Sequence, residues 1–181
     1  MTTFVALLRA VNVSGQNRIA MADLRRALGS LGLTGVETYL QSGNAVFHAE
    51  GDDRAELAAA IHEVIEREFA DDVRVLVLTA AELANAAAAD PFVGGGGDEK
   101  SVHVTFLERP VEEAVFDGLS LPAQAGERAV RAGPVIYLYL PHGYGRTKLN
   151  NAYFERALTT SATTRTWRTV RALVAMSARG T

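Results

Sequence analysis

Two stretches of the 181-residue chain gather side chains that donate hydrogen bonds. The first is Asn12-Val13-Ser14-Gly15-Gln16-Asn17-Arg18, with Arg9 just ahead of it. The second is Gln41-Ser42-Gly43-Asn44. Amides and hydroxyls stand in both sets, guanidiniums in the first, and no carboxylate stands among them. Such groups donate hydrogen bonds well and abstract protons badly. They suit an anionic or amide-rich ligand better than a cation. The plain alternative is that Asn, Ser and Gly here serve as turn formers.

A glycine-rich basic loop, Pro141-His142-Gly143-Tyr144-Gly145-Arg146-Thr147-Lys148, lies between a strand-like and a helix-like segment. Backbone amides at a helix start, beside Lys148, suit a phosphate. The spacing is not that of a Walker loop, so a surface loop is the simpler reading. A third stretch, Thr163 to Arg171, carries Arg165, Arg168 and Arg171 around an apolar face of Trp167, Val170, Leu173 and Val174. It reads as a packed helix with a basic face, and its sharper alternative makes Arg165 part of an anion site.

Several chemistries find no residues to carry them. The chain has no cysteine, which excludes disulfides, thiol nucleophiles and zinc–thiolate sites. His48, His62, His103 and His142 show neither metal spacing nor evident carboxylate partners, so no metal is expected. Neither a nucleophile elbow nor a dinucleotide fingerprint occurs, and no cofactor is expected. Gly94–Gly97 is not a phosphate loop, because no strand feeds it and no Gly-Lys-Ser/Thr follows. Whether the chain is an enzyme is left open: no convincing general base stands out.

The elements that must position these groups follow from periodicity. Phe4–Val11 is apolar on both faces and reads as a strand covered on both sides. Residues 21–31 and 52–69 have helical spacing. Residues 36–42 and 45–49 read as a hairpin closed by a two-residue Gly43-Asn44 turn, and 73–78 as a strand. Thr79 and Glu82 form a capping-box signature ahead of an alanine-rich helix. The pattern then restarts: strand 101–107, helix 111–119, strands 127–132 and 134–140, helix 149–158, and a last helix over 164–176. The expected fold is α+β, with two ferredoxin-like (α/β-plait) subdomains, βαββαβ and then βαββα with a C-terminal helical tail. The expected division is 1–92, a glycine linker at 93–98, and 99–181. Plait topology brings the loop after the first strand and the hairpin to one end of the sheet. That places Arg9, Asn12, Asn17, Gln41, Ser42 and Asn44 together.

The composition is that of a folded globular protein, with 48% apolar and 22% charged residues. A net charge of −3 hides an asymmetry: residues 51–140 carry −10 and residues 141–181 carry +6. A basic tail on an acidic body fits internal complementarity, or an anionic partner. No apolar run reaches the ~20 residues that span a bilayer, and the start lacks a signal-peptide pattern. A cytoplasmic protein without membrane contact is expected.

Several of these motifs together resemble a known family. They are Leu7-Leu8-Arg9-Ala10-Val11-Asn12-Val13, Thr38-Tyr39-Leu40-Gln41-Ser42-Gly43-Asn44-Ala45-Val46-Phe47, Lys148-Leu149-Asn150-Asn151 with Glu155, and Thr163-Thr164-Arg165 with Trp167-Arg168-Thr169-Val170. The family is called domain of unknown function 1697. Ala10-Val11 replaces its more common Gly-Ile, and Ser14 stands where Gly is usual. The resemblance implies a bacterial protein of two α/β-plait subdomains and no established activity. From the residues themselves, the expected role is binding of a phosphate-bearing small molecule or nucleotide. The alternatives are a nucleic-acid binder or a structural, oligomeric interaction protein.

Overall fold

Strand β1 (Thr2–Leu8) runs through the middle of the first sheet, and Phe4 to Leu8 are completely buried. The computed structural model describes residues 1–13 and 18–180. Ser14 to Asn17 and Thr181 lie outside the described residues, and the expected site residue Asn17 with them. After β1 come α1 (Met21–Ser30), β2 (Thr34–Thr38), β3 (Asn44–Ala49), α2 (Arg54–Phe69), β4 (Val75–Thr79) and α3 (Ala80–Ala88). The sheet order is β2-β3-β1-β4, and β1 is antiparallel to both of its neighbours.

Alternation along β1 sends Phe4, Ala6 and Leu8 into one core with Ala45, Phe47 and Ala49 of β3. Helix α1 adds Leu24, Ala27 and Leu28, and α2 adds Ile61, Val64 and Ile65. Phe4 and Phe47 face each other in register and stack with ring centroids 5.9 Å apart. Each fully buried side chain of this size contributes roughly 1.5–3 kcal/mol relative to exposure. Helices α2 and α3 are started by side chains. Asp53 accepts from the Ala55 and Glu56 N–H groups, both at 3.0 Å. Thr79 and Glu82 form the reciprocal capping box: Thr79 N–H donates to Glu82 at 2.9 Å and Glu82 N–H to Thr79 at 3.1 Å.

The second sheet repeats the plan. It contains β5 (Val102–Leu107), β6 (Arg128–Ala132), β7 (Val135–Tyr139) and β8 (Ala162–Thr166), in the order β6-β7-β5-β8. Helices α4 (Glu113–Asp117) and α5 (Asn151–Leu158) intervene, and α6 (Trp167–Ser177) follows β8. Leu107, Phe116, Ile136, Leu138, Leu149 and Phe154 share its core. By chain contacts the protein divides into two units, Met1–Asn85 with Ala172–Thr181, and Ala86–Arg171. No helix among the described residues is long and apolar enough to cross a membrane.

Two expected elements are corrected. The last helix does not begin at Thr164, because Ala162–Thr166 forms β8 and pairs with β5, which completes a second βαββαβ. Its β-branched threonines favour a strand, and Thr164 hydrogen-bonds across to Thr105 at 2.8 Å. The helix starts only after Thr166, whose hydroxyl accepts from Thr169 N–H at 3.2 Å. Nor is Gly43-Asn44 a two-residue hairpin turn. Residues 39–43 form a wider loop and Asn44 opens β3.

Trp167 is 6% exposed, and its indole N–H has no hydrogen-bond partner among the described residues. Trp167→Ala is expected to cost about 3–5 kcal/mol. Trp167→Phe keeps most of the bulk, loses no hydrogen bond, and should cost less than about 1.5 kcal/mol. Urea denaturation of both variants checks this, and equal losses would reject it.

Tyr137 is buried and donates to the Ala86 carbonyl at 2.7 Å. Burial, helped by the negative charge of Asp90, pushes its phenol up to about 12 from the ordinary 10.0. The folded state therefore holds the proton where the unfolded chain has released it. Its stabilising contribution is complete below pH 10.0 and is lost as pH rises to about 12. Denaturation midpoints measured across that range should fall for the wild type and fall less for Tyr137→Phe.

Candidate functional site

The end of the first sheet where β1 and β2 stop is a junction of three backbone segments. Leu8 N–H donates to the Gly43 carbonyl at 2.8 Å, and Arg9 N–H donates to the Arg74 carbonyl at 2.9 Å. Asn12 then fastens the two loops. Its amide nitrogen donates to the carbonyls of Ile19 (2.8 Å) and Gln41 (2.7 Å), and its amide oxygen accepts from Ile19 N–H at 3.0 Å. Both amide protons are thereby used, so Asn12 positions the loops.

Across the junction, Asn44 is fully buried. Its amide donates to the Tyr39 carbonyl and to the Ser42 hydroxyl, both at 3.1 Å, and Tyr39 N–H donates back to the Asn44 carbonyl at 3.0 Å. These bonds explain why the loop spans 39–43 and why Asn44 belongs to the strand. Gly43 is left-handed (φ +72), and a Cβ there would lie 2.7 Å from Leu8 Cβ and 3.1 Å from Val11 Cβ.

Beside this junction lies an open cleft of about 590 Å³ lined by Asn12, Arg18, Ile19, Ala20 and Gln41. Arg18 and Gln41 are exposed. Ala20 is the N-cap of α1 and supplies no side-chain cap. The N–H groups of Met21, Ala22 and Asp23 find no hydrogen-bond partner among the described residues, while Leu24 N–H donates to the Ala20 carbonyl at 3.0 Å. The cleft thus reaches the positive end of a helix dipole. No carboxylate is among its lining residues. Asp23 in the first turn is paired with Arg26 at 3.3 Å.

Backbone strain gathers at the same place. Among the described residues, five non-glycine residues are left-handed. Ala70 and Thr159 are helix C-caps, where that conformation is ordinary. The other three, Ala10, Asn12 and Leu40, all belong to the two loops of this junction. Each left-handed side-chain-bearing residue costs roughly 1–2 kcal/mol, least for Asn.

The two expected site residues outside this end stand in the second unit. Lys148 is exposed in its loop. The helix that follows is already served: Asn151 N–H donates to the Tyr144 hydroxyl and Tyr153 N–H to the Asn150 side chain, both at 3.0 Å. Arg165 is half-buried on β8 and donates to the Thr163 hydroxyl (2.9 Å) and the Thr164 carbonyl (3.0 Å). Burial lowers its guanidinium to about 10, against the opposing influence of Tyr144.

The opposite face of that sheet holds a closed hydroxyl network. Thr164 donates to the Asn151 side-chain oxygen at 2.7 Å, and Tyr144 donates to Thr164 at 3.4 Å. His103 stacks on Tyr144 with centroids 5.5 Å apart, and burial lowers its pKa despite the nearby Ser101 carbonyl. These groups satisfy one another and leave no activated nucleophile.

The histidines need one correction. The ring of His62 does have carboxylate neighbours, Glu66 at 4.0 Å and Asp72 at 3.9 Å. Among the described residues no group of three or more His, Cys, Asp or Glu side chains is arranged to hold a metal ion.

The sequence reading missed Ile19 and Ala20. The signal available was the lack of Ser, Thr, Asp or Asn immediately before Met21, which marks an uncapped helix start.

The family model described as "Protein of unknown function (DUF1697)" matches residues 1–137. The chain belongs to this family. The match covers Met1–Asn85 of the first unit and the second unit as far as β7, and brings no activity with it. Among solved structures, the DUF1697 chain is similar to the conserved bacterial protein SP0830 from Streptococcus pneumoniae, at 22% identity and a TM-score of 0.71. That likeness covers 97% of this chain and 98% of the other, and it supports the fold alone. No curated protein matches the chain.

Glycine substitutions separate the demands of the junction from those of an ordinary turn. Gly133 is also left-handed (φ +60), but a Cβ there would meet nothing within 4 Å. Gly133→Ala should cost about 1–2 kcal/mol from backbone strain alone. Gly43→Ala should cost about 1–3 kcal/mol more, from overpacking against Leu8 and Val11. Denaturant midpoints compare the two directly, and equal effects would show that the junction yields.

Proposed function

We propose that the cleft beside the β1–α1 and β2–β3 loops binds a phosphate-bearing small molecule or nucleotide. The observation that carries this reading is Arg18 lining the same open cleft as the uncapped start of α1, with no carboxylate in the lining. Free amides at a helix start together with a guanidinium favour an anion over a cation. Gln41 adds an amide able to donate or accept. A volume of about 590 Å³ is that of a small-molecule site. The strain at Ala10, Asn12 and Leu40 supports the reading too, because costly backbone geometry clusters at functional sites.

Nucleic acid is less well served. Plait sheets that bind single strands stack bases on exposed aromatic rings. Here Tyr137 is buried, while Tyr39 and Tyr139 are half-buried, with Tyr139 packed on Phe92. The cysteine-free sequence supports a cytoplasmic setting, where small phosphorylated molecules are plentiful.

Thermal shift and calorimetry with phosphorylated probes at low salt test the proposal. A ligand at about 100 times its Kd should stabilise the fold by about 2.7 kcal/mol. Arg18→Ala, together with Gln41→Ala, should remove that shift while the protein stays folded. Undiminished binding to the folded double variant would place the site elsewhere.

A further inference from the structure

Leu40 stands in the wrong place for a leucine on two counts. It is left-handed (φ +57), a conformation that glycine or asparagine adopts more easily. It is also 57% exposed, so its side chain gains little from the fold. The neighbouring loop carries a second exposed apolar side chain, Val13, at 51%. Asn12, next to Val13, donates to the carbonyl of Gln41, next to Leu40, at 2.7 Å. Leu40 and Val13 therefore flank one tether, beside the cleft that Arg18 and Gln41 line. Among the described residues, the other exposed large apolar side chains are Met1, Val115 and Val130, which belong to neither loop.

We infer that Leu40 is a specificity-determining contact, and that the ligand carries an apolar planar group next to its phosphate, as a nucleoside phosphate does and a sugar phosphate does not. This inference rests on the phosphate-cleft reading above. The guanidinium and the free amides recognise the phosphate, which nucleotides and sugar phosphates share. Leu40, helped by Val13, recognises what only the nucleotide has, because covering an apolar ring face removes both surfaces from water. The leucine thus accounts for a backbone cost that the fold alone has no use for.

Paired probes separate the two levels. Calorimetry at low salt compares the nucleoside 5′-monophosphates AMP, GMP, CMP and UMP with ribose 5-phosphate, on the wild type and on Leu40→Asn. At least one nucleotide should bind about tenfold more tightly than ribose 5-phosphate, the advantage of partly burying one leucine. Leu40→Asn should abolish that advantage and leave ribose 5-phosphate binding unchanged. It should also raise the melting temperature by about 2–4 °C, since asparagine tolerates the left-handed backbone. If nucleotides and ribose 5-phosphate bind equally and the variant alters neither, the phosphate cleft stands and the role of Leu40 is overturned. Binding of no probe overturns both. A variant that melts below the wild type shows that the leucine serves the fold, and this too overturns the inference.

Discussion

The loop end of the first sheet depends on the tether from Asn12 to the carbonyl of Gln41. β1 and β2 stop at the same end of the sheet with β3 between them, as a split βαβ topology requires. Topology alone brings the two loops near one another and does not fix their relative position. The Asn12 side chain does so by holding Ile19 on one side and Gln41 on the other. Gly43 completes the arrangement, because its missing side chain lets the second loop close on Leu8 and Val11. An amide and a glycine, neither of them charged, thus set where the charged residue Arg18 is presented.

The electrostatics of this end come from omission as much as from presence. Ala20 leaves the first amides of α1 without a cap, and the acidic residue of that turn is engaged by Arg26. The starts of α2, α3 and α5 are served by side chains, Asp53, Thr79 with Glu82, and Asn150 respectively, while the short α4, like α1, has no side-chain cap. The glycine-rich loop before α5 looked the better phosphate cradle in sequence. Its helix start is occupied by Tyr144 and Asn150, whereas the first amides of α1 have no partner among the described residues.

Much of the fold was legible because its signals are local. A run apolar on both faces marked β1, helical spacing marked α1 and α2, and the Thr79–Glu82 pair marked the start of α3. Strand β8 was not legible. Thr163-Thr164-Arg165-Thr166 runs directly into the apolar helical face of α6, and only pairing with β5 decides where strand gives way to helix. The turn was misread for a related reason. Gly43-Asn44 matches a tight hairpin locally, yet the buried Asn44 amide bonds to Tyr39 and Ser42 and widens the loop. The gathering of Arg9, Asn12, Gln41, Ser42 and Asn44 followed from topology and was foreseen. That Asn12 and Asn44 spend their amides on the backbone was not, since a sequence names a donor without naming its acceptor. The left-handed backbone at Ala10 and Leu40 had no sequence signal, because neither residue favours it.

The two sheets share one strand order but close their equivalent hairpins differently. Residues 39–43 separate β2 from β3, while only Gly133 and Pro134 separate β6 from β7. One strand order thus occurs twice in one chain, once with a two-residue connection and once with a longer loop. A few added residues, bridged by a single asparagine, are enough to turn a plain strand reversal into a recess. The short hairpin of the second sheet serves as an internal control for what the first would be without that elaboration.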